Sequence, residues 1–265
     1  MTTPLDDLFA RTRKENRAAL IGYLPAGFPT QDGCIQALTA MVEGGVDAVE
    51  IGYPYSDPVM DGPVIQAAAD TSLRNGTGAK EVFETLDAIA KIAPTVVMTY
   101  WNPIERYGVD NFLKELKSHG GSGVITPDLT IEESDQWVSS SGSHETNRIY
   151  VVAPSTTEAR LAKVTSLTSG FVYAASLMGV TGTRTSVSSS AEALVARVRV
   201  VTDLPIAVGL GVSTPEQARE VAQYADGVIV GSAFIRLLQE SATLEEGVAK
   251  VRELAQDLSR GLQRG

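Results

Sequence analysis

Residues Asp47-Ala48-Val49-Glu50-Ile51-Gly52-Tyr53-Pro54-Tyr55-Ser56-Asp57-Pro58-Val59-Met60-Asp61-Gly62-Pro63 set the pattern that the rest of the chain repeats. The run opens as a short apolar strand whose side chains alternate between two faces, so Ala48 and Glu50 share one side and Val49 and Ile51 the other. Beyond Gly52, two prolines and several polar residues build an ordered loop. Asp61-Gly62-Pro63 then turns the chain into a helix that Pro63 is suited to start. Two carboxylates therefore bracket one strand-to-helix junction. Asp61 before Gly-Pro also suits a plain turn or helix cap. Glu50 is harder to explain as structure alone: a glutamate inside an apolar strand must be paired, or its pKa must rise toward the range useful for proton transfer.

Outward from this junction the beat continues in both directions. Apolar runs that read as strands fall at residues 18–24, 47–52, 95–100, 123–126, 147–153, 171–176, 205–209 and 227–230. Helical patterns fill the intervals, among them one capped by Thr30 and ending at Gly44-Gly45, then Pro63 to Arg74, Lys80 to Ile92, Val109 to His119, about Ile131 to Ser139, and Thr156 to Leu167. Further helices are expected from about Ser190 to Val201, from Pro215 to Gln223, from Ser232, and from Leu244 to Leu262. Leu5, Leu8 and Phe9 share one side of an extra N-terminal helix. Eight strands alternating with helices over 265 residues match a (β/α)8 TIM barrel, an α/β fold, as a single domain spanning 1–265. An open doubly wound sheet is the alternative, but it carries a Gly-rich fingerprint after its first strand that this chain lacks.

Composition narrows the function. The chain is 43% hydrophobic and carries 22 Lys and Arg against 32 Asp and Glu, a net charge of -10, which argues against a nucleic-acid binder. No basic and apolar leader opens the chain and no run approaches a membrane span, so a cytoplasmic protein is expected. The single cysteine, Cys34, lies in the apolar pattern of Ile35, Leu38, Met41 and Val42 and reads as a buried structural thiol. His119 and His144 have no companions for a metal site or a catalytic triad, and no metal is expected.

Three glycine-bearing junctions late in the chain point to a ligand: Gly179-Val180-Thr181-Gly182-Thr183, Gly209-Leu210-Gly211-Val212-Ser213 and Gly231-Ser232-Ala233. Glycine lets a backbone approach closely, and a helix starting near Gly231-Ser232 offers free N–H groups, which together suit a phosphate monoester in the loops where barrels usually hold one. The alternative is that such turns simply favour glycine. Leu177 to Ser189 reads as a long Gly, Thr and Ser loop, either a lid or a loose connection. Tyr23, Tyr100, Phe171 and Tyr173 lie in or at the ends of strands, either in the core or at the barrel mouth against a flat aromatic substrate.

The run from Glu50 to Pro63, with Gly179-Val180-Thr181-Gly182 and Gly231-Ser232, closely resembles the tryptophan synthase alpha chain family over nearly the whole chain. The resemblance implies a barrel that cleaves indole-3-glycerol phosphate to indole and glyceraldehyde 3-phosphate without a cofactor of its own. It also implies a PLP-dependent beta chain as partner, in an alpha2beta2 assembly. Glu50 and Asp61 match the family's catalytic pair and Tyr173 its active-site tyrosine. Tyr23 stands where an aromatic lines the indole site, and Gly182, Gly211, Gly231 and Ser232 match the phosphate cradle. The loop Tyr53 to Met60, with Asp57 and Pro58, and the Tyr100-Trp101-Asn102-Pro103 loop are the expected contacts with the partner. Two departures from many members are Ser176-Leu177, in place of Ser-Arg, and Asp128-Leu129-Thr130, in place of Asp-Leu-Pro. Alternatives are another phosphosugar barrel enzyme, a stand-alone indole-releasing lyase, and a catalytically silent allosteric barrel, which intact Glu50 and Asp61 argue against.

Overall fold

The computed structural model describes residues 2–175, 184–209 and 211–264, with the backbone alone at 184–189. Strands β1 (Ala19–Pro25), β2 (Ala48–Gly52), β3 (Thr95–Met98), β4 (Gly123–Ile125), β5 (Asn147–Ile149), β6 (Val151–Val152), β7 (Val172–Ala175), β8 (Ile206–Gly209) and β9 (Gly227–Val230) form one parallel sheet. Its order is β5-β4-β3-β2-β1-β9-β8-β7-β6. Only Tyr150 separates β5 from β6, so one stretch of chain pairs with β4 through its first half and with β7 through its second. The sheet thus closes on itself as the expected TIM barrel, its fifth strand split because strands that tilt around a barrel meet their two neighbours at staggered heights. Every residue of β1 and β2 is buried, as in a parallel sheet covered on both faces.

Around it run α1 (Pro4–Lys14), α2 (Gln31–Glu43), α3 (Pro63–Arg74), α4 (Ala79–Ile89), α5 (Trp101–Tyr107), α6 (Val109–Ser118), α7 (Asp135–Ser143), α8 (Glu158–Leu167), α9 (Arg184–Arg199), α10 (Pro215–Ala222), α11 (Ser232–Glu240) and α12 (Leu244–Arg260). Side chains of Thr3, Thr30, Thr214 and Thr243 accept N–H groups at the starts of α1, α2, α10 and α12, each worth about 1 kcal/mol. The extra helix α1 buries Leu5, Leu8 and Phe9, with Phe9 5.5 Å from Phe171. Its cap Thr3 also accepts Asn147 Nδ2 at 2.8 Å, which ties α1 to the foot of β5.

Two expectations are corrected. Trp101-Asn102-Pro103 is not a loop: it opens α5, with Tyr100 as N-cap and Pro103 in the first turn, where a missing N–H costs nothing. What starts the helix is remote, the Asp128 carboxylate accepting Trp101 N–H at 2.9 and 3.1 Å. Likewise α9 begins at Arg184, before the expected Ser190, so part of the presumed Leu177 to Ser189 loop is helix. The rest of that loop, Gly182 included, lies outside the described residues.

Candidate active site

Strand β2 delivers Glu50 to the site. Its Cα pairs with Tyr23 of β1 and Val96 of β3, and the side chain is 1% exposed with Oε2 lacking any partner. Burial first, and then the Asp61 charge, push its carboxyl up to about 8. At neutral pH Glu50 is therefore largely protonated and holds a transferable proton inside the barrel.

Asp61 closes the loop that leaves β2. It is not the cap of α3; Gly62 occupies that position. Its Oδ2 accepts the Tyr100 hydroxyl at 3.1 Å, and the same hydroxyl accepts Met60 N–H at 3.2 Å. Burial raises the Asp61 pKa, while the Tyr100 hydrogen bond lowers it; the polar sequence of the loop gives no sign of that burial. Tyr100 itself stands behind Asp61 and does not line the cavity. Its ring lies 5.2 Å from that of Tyr55, whose hydroxyl accepts Asn102 Nδ2 at 3.1 Å. The loop from β2 to α3 is thereby laced to the first turn of α5. Asp57 and Val59 are exposed and Pro58 half-buried on its outer side.

Glu50 and Asp61 line one wall of a cavity of about 350 Å3 at the C-terminal ends of the strands. Met98, Ile65 and Ile229 supply apolar wall, and Tyr23 and Tyr173 line it as well. Both phenols are held neutral, well above their ordinary pKa, by burial and then by the neighbouring carboxylates. Each ring rests where a neighbouring strand has no Cβ. One built on Gly52 would lie 2.4 Å from the Tyr23 hydroxyl, and one on Gly209 at 2.4 Å from that of Tyr173. Phe171, by contrast, packs below, against Phe9, and is absent from this wall.

The far wall is backbone. Gly209, Gly211, Gly231 and Ser232 all line it. Gly211 sits at φ 65°, the left-handed region that favours glycine. Gly231 is the N-cap of α11, without a side-chain cap bond, so the N–H groups of the first turn have no partner within the helix. A Cβ on Gly231 would also come within 2.9 Å of the Tyr23 ring, a second reason for glycine there. Several lining residues escaped the sequence reading, Met98, Ile65 and Ile229 among the apolar ones and Arg236, one turn along α11 from Ser232, as the charged one. The only signal for Arg236 was that spacing.

The other candidates keep to structure. Cys34 is buried, its thiol pushed up to about 12 by desolvation. His119 stacks on Phe83 at 5.5 Å and bonds to the Glu115 carbonyl. Among the described residues no group of three or more His, Cys, Asp and Glu side chains converges as a metal site would require. Nor is any described helix long and apolar enough to cross a membrane.

The sequence model of the tryptophan synthase alpha chain matches residues 9–263. The chain belongs to that family. A tryptophan synthase alpha chain of Streptomyces avermitilis is 53% identical, covering 98% of this chain and 95% of its own length. One of Mycobacteroides abscessus is 52% identical with both chains fully covered. Among solved structures, a Mycobacterium tuberculosis tryptophan synthase superposes with a TM-score of 0.92 at 47% identity over 100% of both chains. A tryptophan synthase alpha subunit of Legionella pneumophila does so with a TM-score of 0.90 at 29% identity over 98% of each.

Proposed function

We propose that the chain is a carbon-carbon lyase that cleaves indole-3-glycerol phosphate to indole and glyceraldehyde 3-phosphate, as the alpha subunit of a tryptophan synthase. The observation that carries this reading is the unpartnered Oε2 of Glu50, buried in a cavity it shares with Asp61 and with an open helix N-terminus. The apolar walls and the two tyrosines suit the indole ring, and the Gly211, Gly231 and Ser232 wall suits the phosphate. Gly182 joins that cradle by family resemblance.

In this reading protonated Glu50 gives its proton to C3 of the indole. The positive charge that develops at N1 is met by Asp61, whose ionised form Tyr100 favours against burial. The Glu50 carboxylate then takes the proton of the glycerol hydroxyl next to the ring as the carbon-carbon bond breaks; its electron pair returns to the ring, releasing indole and the aldehyde. One proton enters and one leaves, and Glu50 is restored. The reaction so proposed draws on no metal or cofactor of this chain.

The partner in this proposal is a PLP-dependent beta chain, in an alpha2beta2 assembly of cytoplasmic subunits, each alpha chain acting as one domain. Indole is apolar and uncharged and escapes readily into solvent, which favours handing it on across an interface. Val59, 77% exposed beside Pro58 and Asp57, and Asn102 on the neighbouring helix lie on one rim, already linked through Tyr55 and Tyr100 to Asp61. Pressure on that rim would reach the acid. The test is turnover of indole-3-glycerol phosphate by the chain alone and mixed with a beta chain. Indole release that a beta chain accelerates is expected; no indole from either sample would overturn the reading.

A further inference from the structure

The proposed reaction leaves one charged side chain of the cavity without a task. A phosphate monoester dianion must enter a protein of net charge -10 through a cavity that also holds Glu50 and Asp61. The single cation among the described lining residues is Arg236. It is exposed and has no ion-pair or hydrogen-bond partner among the described residues, whereas Arg17, Arg160 and Arg199 are bound to Asp47, Glu132 and Asp226.

Its place on α11 is specific. Helical side chains lean toward the N-terminus of their helix, so a residue one turn beyond Ser232 covers the very turn whose N–H groups are open. A cation over that end is disfavoured by the helix dipole. No acid relieves it, since the first turn of α11 has none. Two positive features thus face one space, and the same cavity contains the unpartnered, buried Oε2 of Glu50. A ligand with an anion at one end and a group for Glu50 at the other satisfies both.

We infer that Arg236 is the side-chain clamp of the phosphate monoester, pairing with oxygens that the backbone N–H groups of the far wall leave free. The inference rests on the phosphate reading of that wall. An arginine fork engages two oxygens at once where a lysine engages as a point charge, so Arg236→Lys should recover only part of what Arg236→Gln loses.

The test is calorimetric titration of the full chain and of both variants with glycerol 3-phosphate, using glycerol as the uncharged control, together with steady-state turnover of indole-3-glycerol phosphate. Arg236→Gln should weaken glycerol 3-phosphate by about 10 to 100-fold, as expected for loss of a charge-assisted bond. KM should rise by more than kcat falls, Arg236→Lys should lie between, and the melting temperature should hold. Binding by Arg236→Gln as tight as that of the unaltered chain overturns the clamp alone. If the unaltered chain neither binds glycerol 3-phosphate nor releases indole, the phosphate reading itself fails and the clamp with it.

Discussion

Asp47, which immediately precedes β2, and Glu50, within it, stand three residues apart, and their surroundings differ in kind. At the N-terminal face Asp47 is gripped by Arg17 through bonds of 2.7 and 2.8 Å and accepts Leu20 N–H at 2.9 Å. Asp226, at the foot of β9, is held the same way by Arg199, by Arg264 and by Ile206 N–H. At the other face, among the described residues, Glu50 has an oxygen with no partner and the Asp61 carboxylate has only a phenol. Acids at the foot of the barrel are paired within the fold, whereas those at its mouth keep an oxygen unpartnered or meet a single neutral donor. A carboxyl along one stretch of chain differs from the next because its partners differ.

The comparison breaks first at Glu50. Glu50→Gln should fold and lose about 10² to 10⁴-fold in turnover, the range for a positioned proton-transfer group, and Asp61→Asn should fall in the same range; steady-state release of indole measures both. Near-normal turnover in either folded variant would place the acid with the structural ones. The mouth should also show a cost that the foot does not. Because the folded protein raises the Glu50 pKa from 4.5 to about 8, its protonated form is the one the fold prefers. The Glu50 contribution to stability is therefore full below about pH 4.5 and is lost as pH rises through about 8, by on the order of 5 kcal/mol. Urea unfolding at several pH values should reveal this slope in the unaltered chain and its absence in Glu50→Gln; equal slopes would mean that the carboxyl is not buried as described.

At the foot the signs reverse. Asp226→Asn leaves Arg199 and Arg264 without their counter-charge and should destabilise by about 2 to 4 kcal/mol, with turnover retained while the chain stays folded. Denaturant midpoints beside activity at low temperature separate the two, and a selective loss of kcat would remove the distinction between the faces. The smallest effect sharpens the mouth itself: Tyr100→Phe deletes the hydroxyl that joins Asp61 to Met60 and should lower turnover by about 2 to 10-fold. An unchanged rate would show that Asp61 needs no such support.

Much of this architecture is legible in the chain because it is local. Pro63 and Arg74 bound a helix at both ends as their sequence positions imply, and Glu50 declares itself by being an acid inside an apolar strand. What stayed hidden depends on distant partners. The start of α5 is set by Asp128, 27 residues away, and the split of the fifth strand by which neighbour each half meets. The onset of α9 runs through Thr and Ser, which carry little helical signal. Arg236 reads in sequence as one more polar residue on a helix surface; only closure of the barrel, which sets the end of β9 beside β1 and β8, brings it to the cavity that Glu50 and Asp61 also line. Tyr100 sits at a strand's end as expected, yet no spacing rule says that its hydroxyl meets Asp61 rather than a substrate.

Because Tyr23 fills the space left by the absent side chains of Gly52 and Gly231, and Tyr173 that left by Gly209, the width of the aromatic slot is written across strands rather than in any one residue. A methyl at Gly52 would meet the Tyr23 hydroxyl and calls for a smaller side chain at residue 23, so the slot is reshaped only when ring and glycine change as a set. A library aimed at reshaping this slot should therefore randomise residues 23, 52 and 231 as one unit and 173 with 209 as another.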